Sequence, residues 1–229
     1  MRSLFVTADG ILQPLGHSQI VRVVEALAKR GFEYDILSLE RDVDLTRPGA
    51  VLELEAQLMA TGIRWFHPHY DTSGGAAAAA RNVATLTGTT VRLALSRRYD
   101  LVHARAYHGG VAARAARLAA GVPILFDARS YWIDERLDEG RWFTNPVALK
   151  VARGVERRLF ADAAGVVTLT ELQADDVRSG KFGPVRERPV RCIPTCADYG
   201  EFQLGPRPTY RFVPPEWVTR LRGKLVLGF

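Results

Sequence analysis

The chain has 229 residues, 47% hydrophobic and 24% charged, with a net charge of +6 and a pI near 9.6. That size and composition suit a soluble globular protein with a substantial core. No run approaches ~18 uncharged apolar residues, which excludes a membrane-spanning helix, and Leu4-Phe5-Val6, followed by Asp9, is too short for a secretory leader. The two cysteines, Cys192 and Cys196, cannot build a four-cysteine zinc site and point to a reducing compartment, so the protein is expected to be cytoplasmic.

Taken in chain order, short apolar runs alternate with amphipathic stretches. Ser3–Thr7 reads as a strand. A helix follows Gly16, with Ile20, Val23, Val24 and Leu27 on one face and Lys29-Arg30-Gly31 as its stop. Tyr34–Leu39 reads as a strand, Pro48–Gly62 as a helix and Ile63–Phe66 as a strand. Leu101–Ala104 is the fourth strand, followed by an alanine-rich helix over His108–Ala120 that ends at Gly121. Val122–Phe126 is a strand and Pro146–Ala163 a helix. Gly165–Leu169 is a strand leading directly into a helix over Glu171–Gly180, with Thr170 as N-cap. Val190–Ile193 is the seventh strand. Leu4-Phe5-Val6 and Pro123-Ile124-Leu125-Phe126 are apolar at every position, the pattern of strands covered on both faces. The expected fold class is α/β: a doubly wound, mostly parallel sheet with right-handed crossovers and helices on both faces.

Charge is unevenly spread. Between Asp71 and Asp127 the sole acid is Asp100, against Arg81, Arg92, Arg97, Arg98, Arg105, Arg114 and Arg117. The stretch fits either a solvated helix face or contact with phosphates or anionic lipid. Nucleic-acid binding is not expected, because no groove-reading motif or aromatic platform accompanies the charge. Gly205–Pro215 holds four prolines, and Leu225-Val226-Leu227-Gly228-Phe229 resembles the start of a strand. That tail fits either an edge strand of the one sheet or a linker feeding a second domain. The expected organisation is an α/β domain over 1–204, a linker over 205–223 and the first strand of a further domain at 224–229.

In open α/β sheets ligands bind beyond the carboxyl ends of the strands. Ala8–Gly16 is one such loop, but with only Gly10 and Gly16 it is not the dinucleotide fingerprint, nor is there a nucleotide-triphosphate loop. Tyr99–Arg105 brings His103 and Arg105 to the end of the fourth strand. Asp127–Leu137 gathers three acids, two bases and two aromatics beyond the fifth, where Arg129 offers a planar fork and Trp132 a stacking face. Thr168–Glu171 closes the sixth. His67-Pro68-His69 has two imidazoles but no third ligand nearby, so no metal site is expected.

The ordered set of segments resembles the N-terminal domain of family 4 glycosyltransferases, a retaining group with the GT-B fold. Gly16-His17-Ser18-Gln19 through Leu27-Ala28-Lys29-Arg30-Gly31 is similar to the family's glycine loop and "L-A-x-R-G". Tyr99–Ala104 is similar to "pDvvHaH", Ala120–Phe126 to "aGvPvvyt", Thr168–Glu171 to "tvSe", and Cys192–Phe202 to "vIPnGvDlerF". The resemblance implies transfer of a sugar from a nucleotide-diphosphate donor to an acceptor hydroxyl with retention. It also implies that the C-terminal donor-binding half lies outside this chain, which alone would be inactive. By the resemblance Arg129, which falls where the family has a histidine, is the candidate catalytic residue. Gly16, His17, His103, Arg105, Trp132 and Glu171 are candidate substrate-binding residues, with no cofactor and no metal. The expected partners are the donor-binding domain, a nucleotide sugar, and a carbohydrate or lipid-linked acceptor, with peripheral contact at an anionic membrane through outward-pointing arginines. Two other readings remain: a non-catalytic sugar- or anion-binding module, and a subunit completed by a separate donor-binding chain.

Overall fold

A computed structural model of the protein describes residues 1–140, 145–184, 187–196 and 215–223. The chain divides into two compact units, Met1–Thr195 and Cys196–Phe229. In the first, seven parallel strands are ordered β3-β2-β1-β4-β5-β6-β7. They are β1 (Arg2–Val6), β2 (Glu33–Leu37), β3 (Arg64–Phe66), β4 (Leu101–Arg105), β5 (Ile124–Ala128), β6 (Gly165–Thr168) and β7 (Val190–Cys192). Each lies within two residues of its expected bounds. The helices are α1 (Pro14–Gly16), α2 (Arg22–Ala28), α3 (Asp42–Leu45), α4 (Ala50–Ala60), α5 (Gly75–Arg97), α6 (Ala106–Ala120), α7 (Trp132–Asp138), α8 (Pro146–Asp162) and α9 (Glu171–Arg178). A π-helical turn, His17–Val21, joins α1 to α2.

The strands are mainly apolar in their interior because helices cover both faces. Leu4 and Val6 of β1 join Val102, Ala104 and Phe126 in one core, while Phe5 joins Ile20, Val24, Ile36 and Leu58 in the other. Two glycines on α6 draw that helix tightly onto the sheet. A Cβ on Gly109 would stand 2.6 Å from the Val6 carbonyl oxygen, and one on Gly110 would stand 3.0 Å from the Phe126 and Leu159 side chains.

Helix α5 is long yet was not expected, because Thr85, Thr87, Gly88, Thr89 and Thr90 interrupt the helical pattern. Packing against α6 overrides that propensity: Ala78, Asn82, Leu86 and Thr90 recur every four residues as a buried stripe. The Thr90 hydroxyl donates to the Leu86 carbonyl at 2.7 Å, which removes its polar cost.

The arginines of this region divide between exposed positions and positions held by acids or burial. Arg105 is buried, Arg81 pairs with Asp71 at 2.6 Å and Arg114 pairs with Asp162 at 2.7 Å. Arg92, Arg98 and Arg117 are exposed. Among the described residues no helix is long and apolar enough to cross a membrane.

In the second unit the described residues include one helix, α10 (Pro215–Leu221), where Arg220 lies 5.4 Å from the centre of the Trp217 ring. This helix falls within the stretch expected as linker. The strand expected at 224–229 lies outside the described residues.

Candidate functional site

The strand order reverses between β1 and β4, which opens a crevice beyond their carboxyl ends. The loop after β1 forms one wall, and its shape is set by a buried carboxylate. Glu40 sits three residues past β2, fully enclosed, and accepts from the Ile11 amide at 2.7 Å and the Leu12 amide at 3.3 Å. Ser38 donates its hydroxyl proton to Glu40 at 2.6 Å and accepts from the Trp65 indole N–H at 2.8 Å. Burial pushes the Glu40 carboxyl above its ordinary value, against the lowering effect of these hydrogen bonds.

The loop's glycines answer the same constraint. A Cβ on Gly10 would meet Glu40 Oε2 at 2.7 Å, and one on Gly16 would meet the Gly10 carbonyl oxygen at 2.1 Å. Glycine at 16 is thus required by contact within the loop, which closes onto the start of its own helix.

The floor of the crevice is a charged cluster. The β4–β5 register places Arg105 opposite Asp127. Arg105 donates to Gln19 at 2.5 Å and to Asp9 at 3.2 Å, and lies 3.7 Å from Asp127. The side chains of Arg105 and Asp127 are each 8% exposed, whereas that of Asp9 is 61% exposed. Arg129 lies 3.5 Å from Asp127, donates to Thr195 at 2.9 Å, and reaches the same Gln19 oxygen at 3.5 Å. Burial lowers the Arg129 guanidinium from its ordinary value and Asp127 opposes that shift; a guanidinium stays charged at neutral pH. Two of the expected residues, Arg105 and Arg129, therefore converge, on Gln19 and Asp127.

A cavity of about 220 Å³ opens beside this cluster. Asp9, Gln13, Tyr70, Asn82, Arg105 and His108 supply its polar lining, and Leu15, Ile20, Leu39 and Leu86 its apolar part. It is smaller than the roughly 300–1,000 Å³ of a pocket that encloses a drug-sized ligand, and suits a single ring bearing hydroxyls.

The other expected residues lie elsewhere. His103 does not line the cavity and lies deeper in the α2 side of the core, with its ring 4.5 Å from that of Phe5 and neither nitrogen hydrogen-bonded. Burial holds its imidazole down at about 4. Since the folded value is depressed below the ordinary 6.5, the neutral ring favours folding above pH 6.5, and that stability is lost as pH falls towards 4. Replacing His103 with leucine should remove this loss, worth roughly 3 kcal/mol at ~1.36 kcal/mol per unit. Urea unfolding at pH 7 and pH 4.5 reads it; an acid sensitivity equal to that of the parent would refute the assignment.

His17 turns towards α4, its Nε2 3.4 Å from the Gln57 side-chain oxygen. Trp132 opens α7 and stacks on Tyr107 with ring centres 5.5 Å apart. Glu171 is exposed in the first turn of α9 and pairs with Arg178 at 3.4 Å. His67 and His69 do not converge: one meets Glu55 and the other Asp42. Among the described residues no group of three or more His, Cys, Asp or Glu could hold a metal ion.

Asp9, Gln19, Glu40, Asn82 and His108 escaped the sequence reading. Glu40 had little signal, since Asp35 precedes it and Asp42 and Asp44 follow it closely. Asn82 had none, because α5 itself was not expected.

Residues 16–196 match the glycosyl transferase 4-like domain family. No curated protein shows significant sequence similarity to the chain. Among solved structures, sucrose-phosphate synthase from Thermosynechococcus elongatus superposes with a TM-score of 0.61 at 12% identity, over 87% of this chain and 49% of that one. HepE from Anabaena, in complex with UDP-glucose, gives 0.52 at 16% identity, over 97% and 49%. A UGT transferase from Siraitia grosvenorii, in complex with UDP, gives 0.50 at 14% identity, over 84% and 50%. At these identities the likeness is one of fold, and the chain spans about half the length of the structures it matches. The family match covers most of the chain: the chain belongs to the glycosyl transferase 4-like domain family.

Proposed function

We propose that the protein is the acceptor-side half of a retaining glycosyltransferase. It would hold an acceptor hydroxyl in the crevice while a second α/β domain binds a nucleotide-diphosphate sugar above it. The observation that carries this reading is the occupation of the β1 loop by Glu40. In a nucleotide-binding α/β fold the amides after β1 would face a phosphate. Here the Ile11 and Leu12 amides are already bonded to a buried carboxylate. The cavity left beside them is small and mixed in polarity, as an acceptor ring requires. The crystal of HepE with UDP-glucose supports a nucleotide sugar as the donor class.

The donor's first shell is then divided between two halves, and only their closure excludes water and brings the reacting groups to contact distance. Arg105 and Arg129 would meet the donor or acceptor from below as fixed positive charges. This chain alone is expected to transfer no sugar. In calorimetry with UDP-glucose and GDP-mannose it is expected to give no saturable heat in the micromolar range. Sub-micromolar affinity for either would place the nucleotide site on this domain and overturn the division of labour.

A further inference from the structure

We infer that His108 is an acceptor-binding residue, whose neutral imidazole accepts a hydrogen bond from a hydroxyl of the ring held in the cavity. The inference rests on the acceptor-side reading above and goes further, since it names the group that recognises the hydroxyl.

The backbone fixes this side chain with unusual care. No loop joins β4 to α6: Arg105 ends the strand and Ala106 begins the helix, at a φ of +56°. That left-handed conformation is strained for a residue with a Cβ, and such strain persists only where the surroundings enforce it. Gly109, pressed against the Val6 carbonyl, locks the same turn from its other side. His108 lies between these two constraints, in the first turn of α6, and lines the cavity with Asp9, Asn82 and Arg105.

The ring is held but not satisfied. It packs edge-on against Trp132 at 6.0 Å. Among the described residues neither of its nitrogens has a hydrogen-bond partner in the protein. Unlike the fully enclosed His103, His108 is half-buried and opens on the cavity. Burial is the largest influence on its protonation and lowers its pKa; Asp9, from the β1 loop, raises it, and Arg136, from α7, lowers it. Arg105 and Arg41 line the same cavity and add positive charge. A neutral ring at physiological pH presents one lone pair and one N–H, which match a hydroxyl's donor and acceptor. Around it, Arg105 and Asn82 offer donors and the exposed Asp9 offers an acceptor. Alternating polar groups of this kind, backed by Ile20 and Leu86, suit a sugar ring.

The test uses the ¹⁵N-labelled chain with ¹³C-labelled histidine, assigning the five imidazoles with the aid of His108→Gln and the Asn82 side-chain amide with Asn82→Asp. Methyl α-glucoside, methyl α-mannoside and methyl α-galactoside are titrated separately, with inorganic phosphate in parallel. At least one glycoside should move the His108 resonance saturably and lower its apparent pKa, because the sugar binds the neutral ring. Binding should then weaken only at pH below the ordinary histidine value. His108→Ala should bind that glycoside about tenfold more weakly, and His108→Gln, which keeps an acceptor oxygen, should recover most of the loss. If a glycoside moves the Asn82 amide but leaves His108 unmoved, the inference falls while the cavity keeps its acceptor role. If no glycoside moves either residue, both fall. A rise in the His108 pKa with phosphate and no response to any glycoside would make the ligand anionic and also overturn it.

Discussion

Glu40→Ala should destabilise the domain by about 3 kcal/mol and loosen the loop after β1. The mutation strips acceptors from two backbone amides and the Ser38 hydroxyl in a site with no exposure, and each buried donor left unmade costs about 1–3 kcal/mol. It also leaves a cavity next to Gly10. Glu40→Gln should cost less: its oxygen can still serve Ile11 and Ser38, and only its amide group would oppose the weaker Leu12 contact. The pH dependence separates charge from shape. The folded carboxyl titrates above its unfolded value, so in the window between the two the folded protein holds a proton that the unfolded chain does not. Stability from Glu40 is therefore greatest below the unfolded value and declines as pH rises through the folded one. The advantage of the parent over Glu40→Gln should grow on acidification through that window. Chemical denaturation across pH 4 to 7 measures it; a constant difference would mean that Glu40 is protonated, or ionised, in both states. Faster hydrogen exchange at Ile11 and Leu12 should accompany the alanine variant.

The strands were legible in the sequence because burial on both faces leaves a continuous apolar run that little else produces. Helix α5 was not, because its buried face uses Asn82 and Thr90 as well as leucine, and only contact with α6 makes those residues interior. The same distinction divides the site. Arg105 and Arg129 stand at strand ends, where topology alone aims side chains towards a crevice. His103 is two residues before Arg105 on the same side of β4, yet it is enclosed under the α2 face, since depth along a strand is not written in its alternation. Gly16 was expected as a substrate-binding glycine at the start of a helix; the contact that forbids a Cβ there is with the carbonyl oxygen of Gly10, inside the loop. His108 has no local sequence signal that separates it from any polar residue opening a helix. What distinguishes it is a left-handed Ala106 and a glycine against β1, both visible only in three dimensions.

Arg129→Ala, made in a complete enzyme that joins this domain to its donor-binding half, should lower turnover by roughly 10²–10³-fold. That is the scale on which one preorganised donor acts where charge develops in a transition state. The guanidinium is suited to the task because its position is over-determined. Asp127 anchors it from the strand, Gln19 ties it to the π-helical turn before α2, and Thr195 holds it from the segment after β7. Its side chain is still 18% exposed, against 8% for Arg105, although Arg105 is the one of the pair that lines the cavity. The competing role is structural, as a counter-charge for Asp127. The two separate cleanly, because Arg105 remains within 3.7 Å of Asp127 when Arg129 is gone. The fold should therefore lose about 1–2 kcal/mol at most, with the thermal midpoint down by a few degrees, while turnover collapses. Arg129→Lys keeps the charge but not the planar fork that meets Asp127 with one nitrogen and Gln19 and Thr195 with the other, so it should recover stability without recovering rate. Turnover unchanged in Arg129→Ala would remove this residue from the chemistry. A large fall in melting point with rate preserved in the folded fraction would assign it to Asp127 alone.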